Sequence, residues 1–442
     1  MENSEDQRIG GRLRREVNLV VLTAMMIGIN IGGSLFVLTG IAAGSTGPSL
    51  FIAQIISALP VLLALIPYMT LTSAIPATAA NYQYAKLFSY PLAVGAGMVL
   101  LVAIPCGGLP LFAIGAGQSL QALIPGIPVI PAAIITMTLF YLINLIGIKP
   151  VGYVQLTMIV VLLLALITFI ASGIPAIEAD NLTPLFPEGA MGLIAASALL
   201  YTLLAGGLFG IEIGEEVKDA KSTIPKALII SMVIVTVIYL LIEMVAVGVI
   251  DWKIFAGKNL EIPARVFLSG PVLGFFIIGG GILACVTSIN LTITAAGRYA
   301  LAFAEDGFFP SFFANINKRF GTPHWGLTLP YFMSVIVLLI NPPLETLGAM
   351  LNFGLIFIIT LVLLTAFRLP KRHPEIYENA KFRVSPKILA ITSLSAMSIN
   401  IIFMILLAIA LKGAFLIFLG AAIVGIILYF ILRKVVPCPI TH

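Results

Sequence analysis

The feature that most constrains this chain is a cluster of glycine and polar residues in the middle of its first long apolar stretch. That stretch runs from residue 17 to residue 43, which is long enough to cross a lipid bilayer. Glycine weakens a helix, and a membrane-spanning helix has no water to replace the backbone hydrogen bonds that it loses. We therefore expect the chain to unwind where the sequence reads Gly28-Ile29-Asn30-Ile31-Gly32-Gly33-Ser34. Free backbone N–H groups at such a break are suited to hold a carboxylate.

The composition indicates a polytopic membrane protein. Of the 442 residues, 60% are hydrophobic and 10% are charged, whereas a soluble domain carries about 25% charged residues. The apolar stretches predict an all-α protein with twelve transmembrane helices between residues 17 and 434. If both termini are cytoplasmic, 20 of the 24 Lys and Arg residues fall in cytoplasmic segments, which is the asymmetry that the positive-inside rule requires. Residues 1–16 and 435–442 are then cytoplasmic tails.

The sixth predicted helix contains a second glycine cluster at mid-span, within Ala205-Gly206-Gly207-Leu208-Phe209. Glycines in membrane helices often serve only close helix packing, and that interpretation stands for either cluster alone. Two interrupted helices at corresponding places in two halves, however, indicate a transporter site between inverted repeats. We expect one five-helix repeat in residues 17–174, a second in 191–368, and two additional helices in 387–432.

Polar groups in two later helices are candidates for binding an ion or a proton. The eighth predicted helix carries Ala284, Thr287 and Ser288 on one face, because residues three and four apart are neighbours. A carbonyl and two hydroxyls are oxygen donors of the kind that a small hard cation needs, although Thr and Ser also bond back to their own helix. Glu243 is a carboxylate in the seventh helix, and it is either functional or near enough to the helix end to reach water.

Four segments resemble motifs of the amino acid–polyamine–organocation (APC) superfamily of secondary transporters. Residues 31–36 resemble the Ile-Gly-Ser-Gly-Ile-Phe motif of the family's first helix, and residues 76–86 resemble its Tyr-rich segment after the second. Residues 214–227 are similar to its Glu-Glu-Val-Lys-Asn-Pro loop, and residues 297–310 to the segment after helix eight. The resemblance implies a five-plus-five inverted repeat in which helices one and six are unwound around the substrate.

The resemblance also implies a set of substrate-binding residues. The N–H groups of Gly32, Gly33 and Ser34 would hold a substrate carboxylate, and carbonyls at the end of half-helix six would receive its ammonium. The family's acidic residue and aromatic gate residue in helix six are replaced by Leu208 and Gly207, so that Phe209 would supply the gate. The complete predicted substrate site is Ile29, Asn30, Gly32, Gly33, Ser34, Ala205, Gly206, Gly207, Leu208 and Phe209.

Sodium is the coupling ion that the resemblance favours. Distant sodium-coupled relatives with the same fold share the Ala-x-x-Thr-Ser pattern of helix eight, and their remaining ligands are carbonyls of the first helix. The lysine that some proton-coupled members carry in helix five would lie near Leu162, and residues 151–174 contain no lysine. Exchange, or proton coupling through Glu212 or Glu243, is the alternative. The predicted sodium site is Gly28, Ile31, Ala284, Thr287 and Ser288, with no other metal and no cofactor expected.

These observations predict a secondary transporter that moves a neutral, apolar amino acid across the plasma membrane by alternating access. It would work in the lipid bilayer as a monomer or homodimer, without nucleic acid. An amine substrate, a metabolite exchanger and a transporter-like nutrient sensor remain open, although a sensor usually needs a signalling tail. An enzyme is disfavoured, because the sequence has no His-Glu-x-x-His motif and its three histidines fall in predicted loops or the tail.

Overall fold

The computed structural model describes residues 8–9 and 13–432, and most of these residues are helical. The helices in chain order are α1 (Leu19–Asn30), α2 (Gly33–Thr46), α3 (Leu50–Ala74), α4 (Ala80–Phe88), α5 (Tyr90–Ala103), α6 (Leu109–Leu123), α7 (Val129–Ile146), α8 (Ile148–Gly173), α9 (Gly189–Ala205), α10 (Ala220–Gly248), α11 (Trp252–Phe255), α12 (Glu261–Phe267), α13 (Gly270–Phe276), α14 (Leu283–Glu305), α15 (His324–Ile340), α16 (Leu344–Arg372), α17 (Pro374–Glu378), α18 (Pro386–Ala410) and α19 (Lys412–Leu432).

Long apolar helices make this a multi-pass membrane protein. In the described part of the chain, ten helical segments are long and apolar enough to cross a membrane. The first of them, Leu19–Ala74, contains α1, α2 and α3, and the 17-residue α15 is a shorter apolar helix. Large apolar side chains such as Ile135, Leu339 and Ile409 are more than half exposed, as expected of surfaces that face lipid rather than water. The predicted helical membrane architecture is confirmed at this level.

The predicted tails fall largely outside the described residues, which exclude 1–7, 10–12 and 433–442. Between them, Arg8–Ile9 and Leu13–Arg14 form a two-residue antiparallel ladder. Val17 then pairs in parallel with Val217, which follows the sixth predicted helix. The residues that precede α1 are therefore attached to the second half of the chain.

Two wide helical turns lie where glycine and proline are concentrated. Ile104–Gly108 joins α5 to α6 as a π-helix, and Ile277–Ile282 joins α13 to α14 in the same way. Pro105 has no N–H to donate, and each turn contains consecutive glycines, so the regular hydrogen-bond ladder gives way locally. Both turns border the central site described below.

Helix α14 is the buried element around which the site is arranged. Every residue from Ala284 to Ala304 is buried, and the helix packs against α1, α2, α6, α7, α8 and α15. Its polar side chains can therefore reach only other protein groups or an enclosed cavity, so they mark positions where polar partners are needed.

Candidate functional site

The first long helix is interrupted at two residues. Helix α1 ends at Asn30, Ile31 has φ −76° and ψ 69°, Gly32 is extended, and α2 begins at Gly33. The N–H groups of Gly33 and Ser34 stand in the first turn of α2, where a helix offers them no acceptor, and no side chain caps this end. The Gly32 N–H, by contrast, donates to the Asn30 carbonyl at 2.7 Å. The break therefore presents a helix N-terminus with free donors to the protein interior.

The sixth predicted helix changes its helical type instead of leaving helical geometry. Helix α9 ends at Ala205, and Gly206–Glu212 continue as a 3₁₀ helix. The 3₁₀ geometry has poorer hydrogen bonds and is rarely sustained for so many residues in a regular helix. A Cβ on Gly206 would lie 3.1 Å from the Ile29 carbonyl oxygen, so the absence of a side chain allows this segment to approach α1.

Asn30 and Tyr239 join the two interrupted segments. The Gly207 N–H donates to Asn30 Oδ1 at 2.6 Å. The Tyr239 hydroxyl, on α10, donates to the Asn30 carbonyl and lies 3.2 Å from the Leu203 carbonyl near the end of α9. The sequence analysis predicted Asn30 as a site residue but missed Tyr239. The sequence indicated Tyr239 only as a polar group in an apolar helix, one turn before Glu243.

A cavity of about 410 Å³ lies beside both interruptions. Ser34 from the start of α2 and Gly206 from the start of the 3₁₀ segment face it together, as do the predicted residues Ile29 and Phe209. The other predicted residues are buried but do not line it; they are Asn30, Gly32, Gly33, Ala205, Gly207 and Leu208. None of the lining residues is charged; the others are Ile104, Phe112, Thr202, Thr292, Ala295, Leu351 and Leu355.

Four of the five predicted sodium ligands come together. The hydroxyl oxygens of Thr287 and Ser288 each lie 3.2 Å from the Gly28 carbonyl oxygen. Thr287 also donates to the Ala284 carbonyl at 2.8 Å, which is the bond back to its own helix. In the described chain, no hydrogen bond links Ile31 to these hydroxyls, and no group of three His, Cys, Asp or Glu side chains could hold a metal ion.

Helix α8 places two side chains beside Gly28, the polar Gln155 and the apolar Ile159. A Cβ on Gly28 would lie only 1.9 Å from Gln155 Nε2. Gln155 Oε1 accepts a hydrogen bond from Asn290 Nδ2 at 3.0 Å. Within the described residues, Gln155 Nε2 has no acceptor. The amide therefore presents its donor side to Gly28.

Buried amides fix that orientation of Gln155. Asn144 Nδ2 donates to the Phe140 carbonyl and to Asn290 Oδ1, both at 2.8 Å. Because the backbone carbonyl can only accept, it sets the orientation of Asn144, and Asn144 in turn sets those of Asn290 and Gln155. Thr294 completes the group by donating to Asn144 Oδ1 at 2.5 Å.

The two predicted proton carriers are both wholly buried but differ in their partners. Glu212 Oε1 accepts from Asn81 Nδ2 at 2.5 Å and from the Tyr299 hydroxyl at 2.7 Å. It also lines a second cavity of about 260 Å³, together with Thr294. Neither carboxylate oxygen of Glu243 has a hydrogen-bond partner among the described residues, and the side chain does not reach the surface.

Ion pairs close the end of the molecule at which α1 begins. Arg298 Nη2, on α14, donates to both carboxylate oxygens of Glu216, at 2.9 and 3.1 Å. Both side chains are almost completely buried. Burial raises the pKa of Glu216, and the neighbouring Arg298 opposes that rise. The backbone N–H groups of Glu16 and Val17 donate to the Glu216 carbonyl. A second pair joins Lys86 of α4 to Asp306, the residue that follows α14, at 2.8 Å.

Fold and site together define a multi-pass membrane protein with an apolar cavity between two irregular helices. The chain belongs to the amino acid permease family, whose model matches residues 17–432. The APC resemblance noted in the sequence is thereby confirmed, and the family is one of permeases rather than enzymes.

Three relatives show the range of this family. The chain is 27% identical over 394 residues to branched-chain amino acid permease BcaP of Bacillus subtilis (strain 168), covering 82% of this chain and 83% of that protein. It is 27% identical over 409 residues to the methylthioribose transporter of the same organism, covering 87% of each. It is 25% identical over 389 residues to vacuolar cationic amino acid transporter 4 of Arabidopsis thaliana, covering 80% of this chain and 64% of that protein.

Proposed function

We propose that the protein is a secondary transporter that carries a neutral amino acid with an apolar side chain across the plasma membrane. The observation that carries the proposal is the free N-terminus of α2 at an apolar cavity. The N–H groups of Gly33 and Ser34 have no intrahelical acceptor. A substrate carboxylate placed there would gain these donors and the favourable end of the helix dipole.

The ammonium and the side chain of the substrate would contact other parts of the cavity. Its ammonium would approach carbonyls near Ala205, Gly206 and Leu208, at the negative end of α9. Its side chain would contact apolar groups such as Phe112 and Leu351. A charged side chain would lose hydration without finding a charged partner in this lining. The branched-chain permease among the relatives agrees with an apolar substrate, and the cationic transporters represent the competing class.

Alternating access between inverted repeats is part of the same proposal. Counting α1 with α2 as one crossing, α3 as the next, and α15 as a short crossing gives the twelve spans expected from the sequence. The interrupted span made of α1 and α2 then begins one repeat, and α9 with its 3₁₀ extension begins the other, so the two spans correspond. The excess of Lys and Arg in alternate loops favours cytoplasmic termini.

For coupling, we propose a sodium ion at Gly28, Ile31, Ala284, Thr287 and Ser288. The hydroxyl oxygens of Thr287 and Ser288 each lie 3.2 Å from the Gly28 carbonyl oxygen. Sodium between these oxygens would have to displace any hydroxyl hydrogen that points to that carbonyl. The donor of Gln155 beside Gly28 opposes a cation, so proton coupling through Glu212 or Glu243, or simple exchange, is the competing mechanism.

One experiment tests substrate and ion together. The purified protein is screened by thermal unfolding against leucine, lysine and glutamate, with sodium or choline as the cation, and leucine uptake is measured in proteoliposomes. Two leucine analogues, one lacking the carboxylate and one lacking the amine, serve as matched controls. We expect stabilisation by leucine alone, since only a ligand of the folded state raises the melting temperature.

Different results reject different parts of the proposal. If lysine stabilises the protein and leucine does not, the apolar substrate is rejected. If the leucine analogue that lacks the carboxylate stabilises the protein as much as leucine does, the carboxylate cradle at α2 is rejected. Leucine uptake that is unchanged when choline replaces sodium would reject sodium coupling. A protein that binds leucine in detergent but moves none into proteoliposomes would favour a sensor.

A further inference from the structure

The segment between α10 and α13 covers the end of the site opposite the Glu216–Arg298 pair. Residues 249–269 contain the short helices α11 and α12; α11 packs on α2, α12 packs on α8 and α10, and side chains of the segment bond to α6. The Gly257 N–H donates to the Gly40 carbonyl at 2.9 Å, and a Cβ on Gly40 would lie 1.8 Å from the Lys258 carbonyl oxygen. We call residues 249–269 the cover segment.

Glu261 is the acidic residue that the cover segment inserts into the protein. Its side chain is 5% exposed, and its Oε1 accepts a hydrogen bond from the Ser119 hydroxyl of α6 at 2.6 Å. A Cβ on Gly281, in the π-helical turn before α14, would lie 2.9 Å from the same oxygen. No described ion pair includes Glu261. The carboxylate is therefore held by a neutral donor in a place with little water.

The carboxylate lies close to the proposed substrate cradle. Gly281 precedes Cys285 by four residues, which is about one helical turn. The Cys285 sulfur in turn would be 2.9 Å from a Cβ on Gly33. In this arrangement of the cover segment, Glu261 is thus kept from water between α6 and the turn that leads into α14.

Few other charged groups face this position. On the cover segment itself, Asn259 is adjacent, the charged residues Asp251, Lys253, Lys258 and Arg265 are all exposed, and α13 carries no charged residue. On α14, the nearest titratable group is the Cys285 thiol. On α10, the nearest acid is Glu243, two residues before Val245. The side chains of Val245 and of Phe267, on α12, both lie beside Gly173 of α8. Among the described residues near this position, Glu243 is therefore the other buried acid whose protonation must be distinguished from that of Glu261.

We propose that Glu261 binds a proton as the cover segment closes, so that closure of this end of the transporter is linked to proton binding. An ionised carboxylate loses hydration on closure and gains only neutral donors, whereas the protonated acid loses much less. Burial accordingly raises the pKa of Glu261, and the Ser119 hydrogen bond, Asn259 and Arg265 oppose that rise. Closure is then favoured below the open-state pKa and loses that advantage as the pH rises through the closed-state pKa.

The first test measures closure without any substrate. Hydrogen–deuterium exchange of residues 249–269 is followed from acid to neutral pH, corrected for the chemical exchange rate at each pH. In the wild type, protection of these amides from exchange should increase toward acid pH. The total increase should be up to about tenfold for each unit by which the closed-state pKa of Glu261 exceeds its open-state pKa. Glu261→Gln, which keeps the shape and an acceptor for Ser119, should show protection that does not change with pH.

The control variants separate this role from packing. Ser119→Ala removes a donor to the ionised carboxylate and should move the wild-type transition to higher pH without abolishing it. Glu188→Gln replaces an exposed acid at the N-terminus of α9 and should keep the wild-type profile. A wild-type profile in Glu261→Gln, or a profile that becomes flat in Glu243→Gln alone, would overturn the proposal.

The second test uses leucine uptake and rests on the proposed function. Uptake by the wild type should rise toward acid, and Glu261→Gln should show the acid rate at every pH. If no amino acid is transported, the proposed function fails, but the exchange experiment still decides the role of Glu261. If transport occurs and Glu261→Gln retains the wild-type pH dependence in both experiments, the Glu261 proposal fails and the transport function stands.

Discussion

The Tyr239 hydroxyl contacts carbonyl oxygens that belong to two different interrupted helices. One is the carbonyl of Asn30, the last residue of α1, and the other is that of Leu203 near the end of α9. Carbonyls at helix C-termini lack intrahelical donors and carry the negative end of the dipole. A single donor between them holds the two ends together, and it does so next to the place where the substrate ammonium is proposed to bind.

Tyr239→Phe removes this donor with little change in shape. We expect leucine affinity to fall about tenfold, because the donor between two helix ends is lost and a hydrogen bond contributes up to about 1.5 kcal/mol. The measurement is leucine binding by calorimetry or by thermal shift. Tyr201→Phe is the matched control, since Tyr201 is an equally buried tyrosine on α9 that packs against Phe403. Equal affinities in the two variants would refute a special role for Tyr239.

Single residues also show what could be predicted from the sequence and what could not. The break after Asn30 follows from local chemistry, because glycine cannot support a helix in hydrocarbon without help from its surroundings. The role of Gln155 depends on which face of α8 meets Gly28, and a uniformly apolar helix gives no such information. Tyr239 and Glu261 become relevant only through contacts between elements that are far apart in the sequence.

At the scale of elements, glycines differ in whether another element occupies the space that a side chain would need. A Cβ on Gly207 would lie 2.2 Å from Asn30 Nδ2 and 2.7 Å from the Met232 methyl group. Gly420 lies in α19 and has nothing within 4 Å of the same position. The first glycine is required by the close approach of two elements, and the second only lowers the helical propensity of its helix.

The same substitution should therefore have opposite effects at these two positions. Gly207→Ala should displace Asn30, disrupt the hydrogen bond that joins α1 to the 3₁₀ segment, and reduce leucine affinity at least about tenfold, equivalent to about 1.4 kcal/mol. Gly420→Ala should leave binding unchanged and raise thermal stability, by up to about 1 kcal/mol. Thermal unfolding with and without leucine measures both effects. Unchanged leucine binding in Gly207→Ala would show that the junction does not shape the site.

At the scale of the whole molecule, the central cavity lies between two differently built ends. One end is held by the cover segment through backbone contacts and the neutral Ser119–Glu261 hydrogen bond. The other is held by ion pairs, of which Arg298 with Glu216 is the most deeply buried. The sequence singled out the segments that carry these residues, but it did not predict that Glu216 and Arg298 meet, because they are 82 residues apart.

Arg298→Met should destabilise the protein strongly, because it leaves the carboxylate of Glu216 buried without its partner. Breaking a buried pair from one side typically costs about 3 to 5 kcal/mol. Since burial raises the pKa of Glu216, the lone carboxylate should be protonated readily in acid. The loss of thermal stability should therefore be smallest at acid pH and grow as the pH rises through the folded-state pKa.

Two companion variants determine whether the effect comes from the unpaired charge. Glu216→Gln combined with Arg298→Met removes both charges and should recover part of the stability, with a pH dependence weaker than that of Arg298→Met alone. Lys381→Met breaks the exposed pair with Asp219, whose atoms are 3.4 Å apart, and should change stability by no more than about 1 kcal/mol. If the double variant is as unstable as Arg298→Met at every pH, the arginine stabilises this end through packing and not by neutralising Glu216.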